Sequence, residues 1–78
     1  MKELVEYLVK SLVDHSGEVV LTEHEEDETV VLELKIAPDD LGKIIGKGGN
    51  TINAIRTVLQ AAASSHKKRA KLEVMGQE

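Results

Sequence analysis

Three glycines within four positions, Gly46-Lys47-Gly48-Gly49, constrain the fold of this chain more than any other feature of its sequence. Apolar residues recur at helical spacing on both sides of this segment. Glycine is unfavourable inside a helix because of its conformational entropy, and it readily adopts positive φ angles. The segment therefore predicts two helices joined by a four-residue loop, with a lysine at the tip of the loop.

Apolar periodicity divides the first half of the chain into a helix and two strands. A wide apolar stripe over residues 4–13 predicts a first helix, which Gly17 is expected to end. Residues 18–37 predict two strands joined by an exposed acidic hairpin loop at 25–28, and residues 30–36 alternate most clearly. Pro38 ends the second strand, and Asp39 or Asp40 is expected to cap the next helix.

The second half predicts a long helix and a third strand. Asn50 or Thr51 is expected to cap the helix after the glycine loop. A polar basic turn at residues 64–69 precedes a strand in which residues 70, 72 and 74 face one way. The order α-β-β-α-α-β predicts a single α+β domain over residues 1–78, with three helices on one face of a three-stranded sheet. The buried face of the long helix is predicted to contain Ile52, Ile55, Val58, Leu59 and Ala62.

Charge is distributed unevenly along the chain. The net charge is −4, but residues 1–40 hold twelve acids and three bases, whereas residues 41–78 hold two acids and seven bases. The glycine loop lies in the basic half. A locally basic segment favours a polyanionic partner such as nucleic acid. The same charge counts would also arise if the acidic and basic residues simply lay on different solvated faces of the protein.

Composition narrows the cellular setting. The chain has no cysteine, which excludes disulfides and thiolate metal sites and suits a reducing compartment. No apolar run approaches the roughly 18 residues of a membrane span, and glutamates interrupt the N-terminal apolar residues, which is atypical of a signal peptide. We therefore expect a cytoplasmic protein, with no metal and no cofactor.

Two common phosphate-binding motifs do not fit the loop. Walker A requires G-x-x-x-x-G-K-[ST], but Gly42 and Gly46 are one residue too close and Gly48 stands where Ser or Thr is needed. The dinucleotide fingerprint G-x-G-x-x-G has Thr51 at its third glycine position. What remains is a glycine loop beside Lys47 and the positive end of a helix dipole. This arrangement predicts an anion site that holds phosphate without hydrolysing it.

The segment IIGKGG, residues 44–49, resembles the signature of KH domains, whose GxxG loop clamps a short stretch of nucleic-acid backbone. The element order resembles the type II arrangement, in which this loop joins the second and third helices. The resemblance covers essentially the whole chain, and DLGKIIGKGGNTINAIR looks like the corresponding segment of the stand-alone bacterial KH proteins of the KhpA family. Neither middle residue of the GxxG is acidic, so we expect a competent loop.

The resemblance implies single-stranded RNA held in a groove between the loop, with its flanking helices, and a strand edge. Gly46 and Gly49 would shape the loop, and Lys47 and Gly48 would face the phosphates. Isoleucines 36, 44, 45 and 52 would form the groove floor or the core beneath it. The basic residues 67–71 are either a further contact or a solubilising turn. The predicted RNA-binding residues are Gly46, Lys47, Gly48, Gly49, Lys43, Ile44, Ile45, Asn50, Ile52 and Arg56, of which Lys43 and Arg56 would border the groove.

Other classes of function stay open. Catalysis is disfavoured because His15, His24 and His66 do not have the spacing of metal ligands, and no Ser-His-acid set is apparent. A protein-interaction module is the second class, since residues 61–63 are alanines that permit close helix approach or pack against the sheet. Single-stranded DNA is a third option, because a GxxG loop grips either backbone. Tyr7 is the only aromatic residue, which excludes readers that stack bases on aromatic side chains.

The resemblance also implies partners and a cellular role. Proteins like KhpA associate with a second KH protein, KhpB (also called Jag or EloR), and can form homodimers. The implied role is that of an RNA chaperone or post-transcriptional regulator linked to cell-wall synthesis and cell shape. With one domain and few charges, we expect weak binding with little sequence preference.

Overall fold

The structure, a computed structural model, describes residues 2–76, so the ends of the predicted domain range, residues 1, 77 and 78, lie outside it. The predicted order α-β-β-α-α-β and the α+β class are confirmed. Short 3₁₀ turns at 16–18, 38–40 and 47–49 join some of these elements. The helices are α1 (Lys2–Leu12), α2 (Leu41–Ile45) and α3 (Asn50–Ser65), and the strands are β1 (Val20–Glu26), β2 (Thr29–Ile36) and β3 (Arg69–Gly76).

The sheet has the strand order β1-β2-β3, with β1 antiparallel and β3 parallel to the central strand. The alternation predicted for β2 is confirmed, because its residues 30, 32, 34 and 36 are all buried under the helices. Val31 departs from it, since it is buried on the other face of the sheet. Its register neighbours on the two adjacent strands are His24 and Lys71, whose side chains lie on the same face of the sheet.

Helix α1 covers the sheet with a narrower stripe than predicted. Only Val5 and Val9 are fully buried, whereas Leu4 and Leu12 are about two-fifths exposed at 41% and 43%. The helix contacts β1, α2 and α3, and the flanks of its apolar stripe face outward. It ends at Leu12, so the prediction that Gly17 ends it is wrong.

The buried stripe of α3 is also shifted from the prediction. Ile52, Ile55 and Leu59 are buried as expected, but Val58 is 43% exposed and Ala63 is fully buried in its place. Positions 52, 55, 59 and 63 form one stripe at helical spacing, and Val58 lies about 100° away from Leu59 around the helix. The prediction therefore included Val58 wrongly, and it placed the last alanine of the buried stripe at position 62 instead of 63.

The hairpin between β1 and β2 is tighter than predicted. Strand β1 continues to Glu26, so the turn contains only Asp27 and Glu28, with φ angles of 46° and 65°. Both residues adopt the left-handed backbone conformation, which is that of a two-residue type I′ turn. The Glu28 carbonyl accepts a hydrogen bond of 3.1 Å from the Arg69 N–H, which ties this turn to the start of β3.

The start of α2 is held by a contact that the sequence did not indicate. Neither the 3₁₀ turn nor α2 has a side-chain cap, so the capping role expected of Asp39 or Asp40 is wrong. The carboxylate of Asp40 is 1% exposed and accepts the N–H groups of Asp14 and His15, at 3.2 and 3.0 Å. A buried carboxylate requires such partners. Asp40 therefore ties the chain after α1 to the helix that leads into the glycine loop.

Candidate nucleic-acid interface

The glycine loop joins α2 to α3 in one tight turn. The Gly46 N–H closes α2 by donating to the Gly42 carbonyl at 2.9 Å, and the Gly49 N–H donates back to the Gly46 carbonyl at 3.2 Å. Between them the chain forms a 3₁₀ turn over Lys47–Gly49. The turn takes four residues and α2 contacts α3, so the end of α2 and the start of α3 form one side of the site.

Gly46 cannot carry a side chain in this turn. Its φ of 74° and ψ of 173° belong to a backbone region that is essentially restricted to glycine. A Cβ built on Gly46 would also lie 2.8 Å from the backbone nitrogen of Thr51 and 2.7 Å from its Cβ. The close packing of α3 on this residue fixes where the loop ends and the helix begins.

The tip of the loop faces solvent. Gly48 has a φ of 65°, and a Cβ added there would meet nothing within 4 Å. Lys47 is exposed, and within residues 2–76 no hydrogen bond or ion pair engages its ammonium group. The loop therefore presents an exposed backbone and an unpaired cation on the same side as the start of α3.

The N-terminus of α3 has no side-chain cap. Gly49, with φ 81°, takes the cap position and Asn50 is already helical, so the prediction that Asn50 or Thr51 caps the helix is wrong. The Asn50 N–H already donates to the Lys47 carbonyl, and no side chain caps the remaining N–H groups of the first turn. In a helix of 16 residues these groups and the dipole carry partial positive charge. The loop and the helix start together have the properties of a phosphate site.

The predicted apolar contacts divide between surface and core. Ile44 is 0% exposed and Ile52 is 6% exposed, and Ile36 is fully buried below them. These three residues support the site from within the core. Ile45 is 43% exposed beside the loop. It is the predicted isoleucine that a ligand can reach.

Lys43 is engaged by acidic neighbours. Its ammonium group forms an ion pair with the Asp14 carboxylate and lies 3.9 Å from Asp40. The hydrogen bond with Lys43 lowers the pKa of Asp14, and the same bond raises the pKa of Lys43. A phosphate would have to compete with Asp14 for this lysine. No local sequence pattern indicated the pair, because 29 residues separate its members.

Strand β3 lies at the edge of the sheet and forms the other side of the site, beside α3. The Arg56 guanidinium donates to the Leu72 carbonyl at 3.4 Å. The Gln60 side chain contacts the backbone of Ala70 in both directions, donating to its carbonyl and accepting from its N–H at 3.4 Å. These residues line an open cleft of about 290 Å³ together with Leu59 and Lys71. Gln60 was not among the predicted site residues, and only its position four residues after Arg56 could have suggested it.

The basic turn after α3 is partly neutralised. The Lys68 ammonium pairs with Glu25 at 2.5 Å, and the Lys71 ammonium pairs with Glu73 at 3.3 Å. A second cleft, of about 450 Å³, lies beside Lys68 and is lined by Glu23, His24, Glu25, Val30 and His66 as well. Its carboxylates repel phosphate, so the cleft between α3 and β3 is the better path for a nucleic acid.

Comparison with known proteins identifies close sequence relatives. A family model described as the KH domain of KhpA/KhpB matches residues 2–74. The chain is 48% identical over 75 residues to RNA-binding protein KhpA of Clostridium acetobutylicum, covering 96% of this chain and all of that protein. It is 44% identical to RNA-binding protein KhpA of Halalkalibacterium halodurans over 96% of this chain and 99% of that protein.

A solved structure shares the fold. The crystal structure of Aquifex aeolicus Era Y63A bound to GDP and AlF4⁻ superposes with a TM-score of 0.61 over 96% of this chain. The match covers 29% of the Era chain at 17% identity. At this identity the likeness concerns the fold alone.

Proposed function

Because the chain belongs to the KhpA/KhpB family of KH domains, we propose that it binds single-stranded RNA and grips the RNA backbone with its GxxG loop. One observation carries the proposal: among the described residues, Lys47 is exposed and has no ion pair, and it lies in the loop directly before the start of α3, which no side chain caps. Lys47 would contact one phosphate, and the N–H groups at the start of α3 would receive another.

The remaining predicted residues have graded roles in this proposal. Gly46 and Gly49 shape the loop, and Gly48 lets the RNA backbone approach without a Cβ in the way. Ile45, Asn50 and Arg56 border the path of the RNA from the loop to the edge of β3, and Ile44 and Ile52 support it from the core. Lys43 adds a phosphate contact only when it leaves Asp14.

We expect the binding to be weak and to depend little on sequence. The site offers backbone groups, one isoleucine surface and a few cations, while the sole aromatic residue, Tyr7, lies on α1. Stacking on aromatic side chains, which stabilises many single-strand complexes, does not contribute here. The free energy of binding would come mainly from phosphate contacts, which do not distinguish bases.

The wider role rests on the family resemblance. We propose a non-enzymatic protein of the cytoplasm that acts as an RNA chaperone or post-transcriptional regulator. It would work with a second KH protein of the KhpB (Jag or EloR) type, in a process linked to cell-wall synthesis and cell shape. The described helices include none that is long and apolar enough to cross a membrane.

Self-association is a second candidate function, and the outer face of α3 favours it. Val58 is 43% exposed on this face, and Ala54 and Ala61 are exposed one turn to either side. Small residues around one larger apolar residue allow close approach of a second helix. Sedimentation equilibrium of the protein and of Val58→Asp would test whether a homodimer forms through this face.

The RNA-binding proposal is tested by anisotropy titrations with fluorescent single-stranded RNA and DNA of matched sequence. The test variant is Lys47→Asp/Gly48→Asp. It should fold, because the side chain at position 48 enters open space and aspartate tolerates the left-handed conformation better than most residues. We expect the variant to lose RNA binding, since two carboxylates would then face the phosphates.

The control variant is Lys10→Asp/Gly17→Asp, which makes the same two replacements at exposed positions in the first 20 residues. Circular dichroism and a thermal melt establish that both variants are folded. Equal RNA binding by the parent and the folded loop variant would show that the loop is not the site. Equal affinity of the parent for RNA and DNA would identify a general single-strand binder.

A further inference from the structure

The free edge of β3 is a row of hydrogen-bonding groups beside the proposed RNA path. Backbone groups of successive strand residues point to alternate sides, and the Arg69 N–H points inward, to the carbonyl of Glu28, the turn residue just before β2. The N–H and carbonyl groups of Ala70, Leu72 and Val74 therefore point to the open edge. Such an edge can pair with any ligand that carries complementary donors and acceptors.

The end of this edge at Ala70 is already occupied. The Gln60 amide donates to the Ala70 carbonyl and accepts from its N–H, so it engages both groups as a neighbouring strand would. The next outward carbonyl, that of Leu72, receives the Arg56 guanidinium at 3.4 Å. Two side chains of α3 thus cover the first part of the edge.

The covered part lies farthest from the glycine loop. Gln60 is opposite Ala70 and Arg56 is opposite Leu72, so one turn back along α3, about 6 Å, corresponds to two residues forward along β3, about 6.6 Å. The same step brings Ile52, close to the loop, opposite Val74. A strand held at the loop therefore meets the Val74 end of the edge first and the Ala70 end last.

We propose that Gln60 is a specificity-determining residue that withholds the Ala70 end of the β3 edge from the bases of the bound strand. This inference rests on the proposed function. Base edges are distinguished by their donors and acceptors, whereas phosphate contacts carry no sequence information. With Ala70 satisfied within the protein, base reading is confined to the Leu72–Val74 part of the edge. Gln60 thereby keeps the binding tolerant of sequence at the nucleotide farthest from the loop.

Replacement of Gln60 by alanine should leave the N–H and carbonyl groups of Ala70 accessible to a ligand. Gln60 is exposed and lies inside a helix, where alanine is the most favourable residue, so Gln60→Ala should fold. The freed Ala70 groups can then pair with a base edge. We expect the affinity for the preferred base to rise by about threefold to tenfold, which is the effect of one additional hydrogen bond.

The experiment compares fluorescein-labelled RNA octamers of uridine, cytidine and adenosine by anisotropy, on the parent, Gln60→Ala and Ser65→Ala. Ser65 is an exposed residue of the same helix whose hydroxyl group donates only to the Ala62 carbonyl, so it controls for loss of a polar side chain from α3. The main readout is the ratio of the weakest to the tightest Kd among the three octamers, because a general change of stability would shift all three Kd values together. The second readout is the Ala70 amide resonance in a two-dimensional NMR titration.

The inference requires that the ratio of Kd values widens in Gln60→Ala alone, and that RNA moves the Ala70 resonance in this variant but not in the parent. An unchanged ratio together with an unmoved Ala70 resonance overturns the inference, while the proposed function still stands if the loop variant Lys47→Asp/Gly48→Asp loses RNA. Equal RNA binding by that loop variant overturns the proposed function, and the role of Gln60 with it.

Discussion

Gly46 and Gly48 belong to the same loop but meet different physical demands. Gly46 is confined both by its backbone conformation and by the close approach of Thr51. Gly48 is restricted only by its left-handed backbone conformation, because there is open space where a side chain would lie. The first glycine is required for the packing of α3 against the loop, and the second keeps the tip narrow for an approaching ligand.

The two alanine variants should therefore differ in stability. We expect Gly46→Ala to lower the free energy of unfolding by roughly 2–4 kcal/mol, because it adds a backbone clash to an unfavourable φ/ψ region. Gly48→Ala should lower it by about 1 kcal/mol, from the left-handed conformation alone. Urea denaturation followed by circular dichroism measures both. Gly42→Ala, at a glycine with no such restraint, is the control, and equal losses at positions 46 and 48 would contradict the argument.

At the scale of elements, α2 is too short to be stable alone. It has five residues, and isolated helices need about 12–15 residues to be even marginally stable in water. Its position comes from the burial of Ile44 and from the Asp40 carboxylate, which joins it to the chain after α1. The loop is therefore presented by tertiary contacts rather than by local helix propensity.

The β1–β2 hairpin carries backbone strain that can be relieved. Asp27 and Glu28 both have positive φ, and the second position of such a turn favours glycine. We expect Glu28→Gly to raise the free energy of unfolding by about 0.5–1 kcal/mol, because the left-handed conformation is unfavourable for glutamate. A thermal melt measures the change.

The matched control for the hairpin is Glu28→Gln, which removes the charge and keeps the side chain. It should leave the melting temperature nearly unchanged if backbone strain is the cause. A gain in Glu28→Gln as large as that in Glu28→Gly would instead assign the effect to repulsion among the acidic residues of this hairpin.

At the scale of the whole molecule, the basic half of the chain offers less free positive charge than its composition implies. Lys43 pairs with Asp14 and Lys68 pairs with Glu25, so acids of the first half neutralise cations of the second. Lys47 has no such partner among residues 2–76. The distribution of ion pairs, rather than the count of basic residues, shows which cations are free to bind a phosphate chain, and Lys47 of the proposed loop site is one of them.

RNA binding should therefore depend on salt in a way that Lys47 controls. For about three phosphate contacts, the logarithm of the association constant should fall with the logarithm of salt concentration with a slope of about −2. Lys47→Ala should make this slope less steep by about 0.7, because it removes one contact. Anisotropy titrations at four salt concentrations give the slopes. The control variant Lys10→Ala should leave the slope unchanged. If Lys47→Ala has the same slope as the parent protein, the phosphate contacts lie elsewhere.

The local features of this protein follow from its amino-acid sequence alone. The alternation at residues 30–36, the helical spacing around the loop and the glycines at 46–49 all depend on residues within four positions of one another. Such patterns specify the elements and their order without reference to the rest of the chain. The same residues, with their resemblance to KH domains, also indicated the loop as the functional site.

Tertiary packing selects which helix faces are exposed and which side chains are engaged by other residues. It exposed Val58 and buried Ala63, because only packing against the sheet selects one stripe of α3. It paired Lys43 with Asp14 across 29 residues and Gln60 with Ala70 across ten. These contacts depend on how elements meet in space, and hydrogen bonds and ion pairs between distant positions leave no periodicity in a sequence.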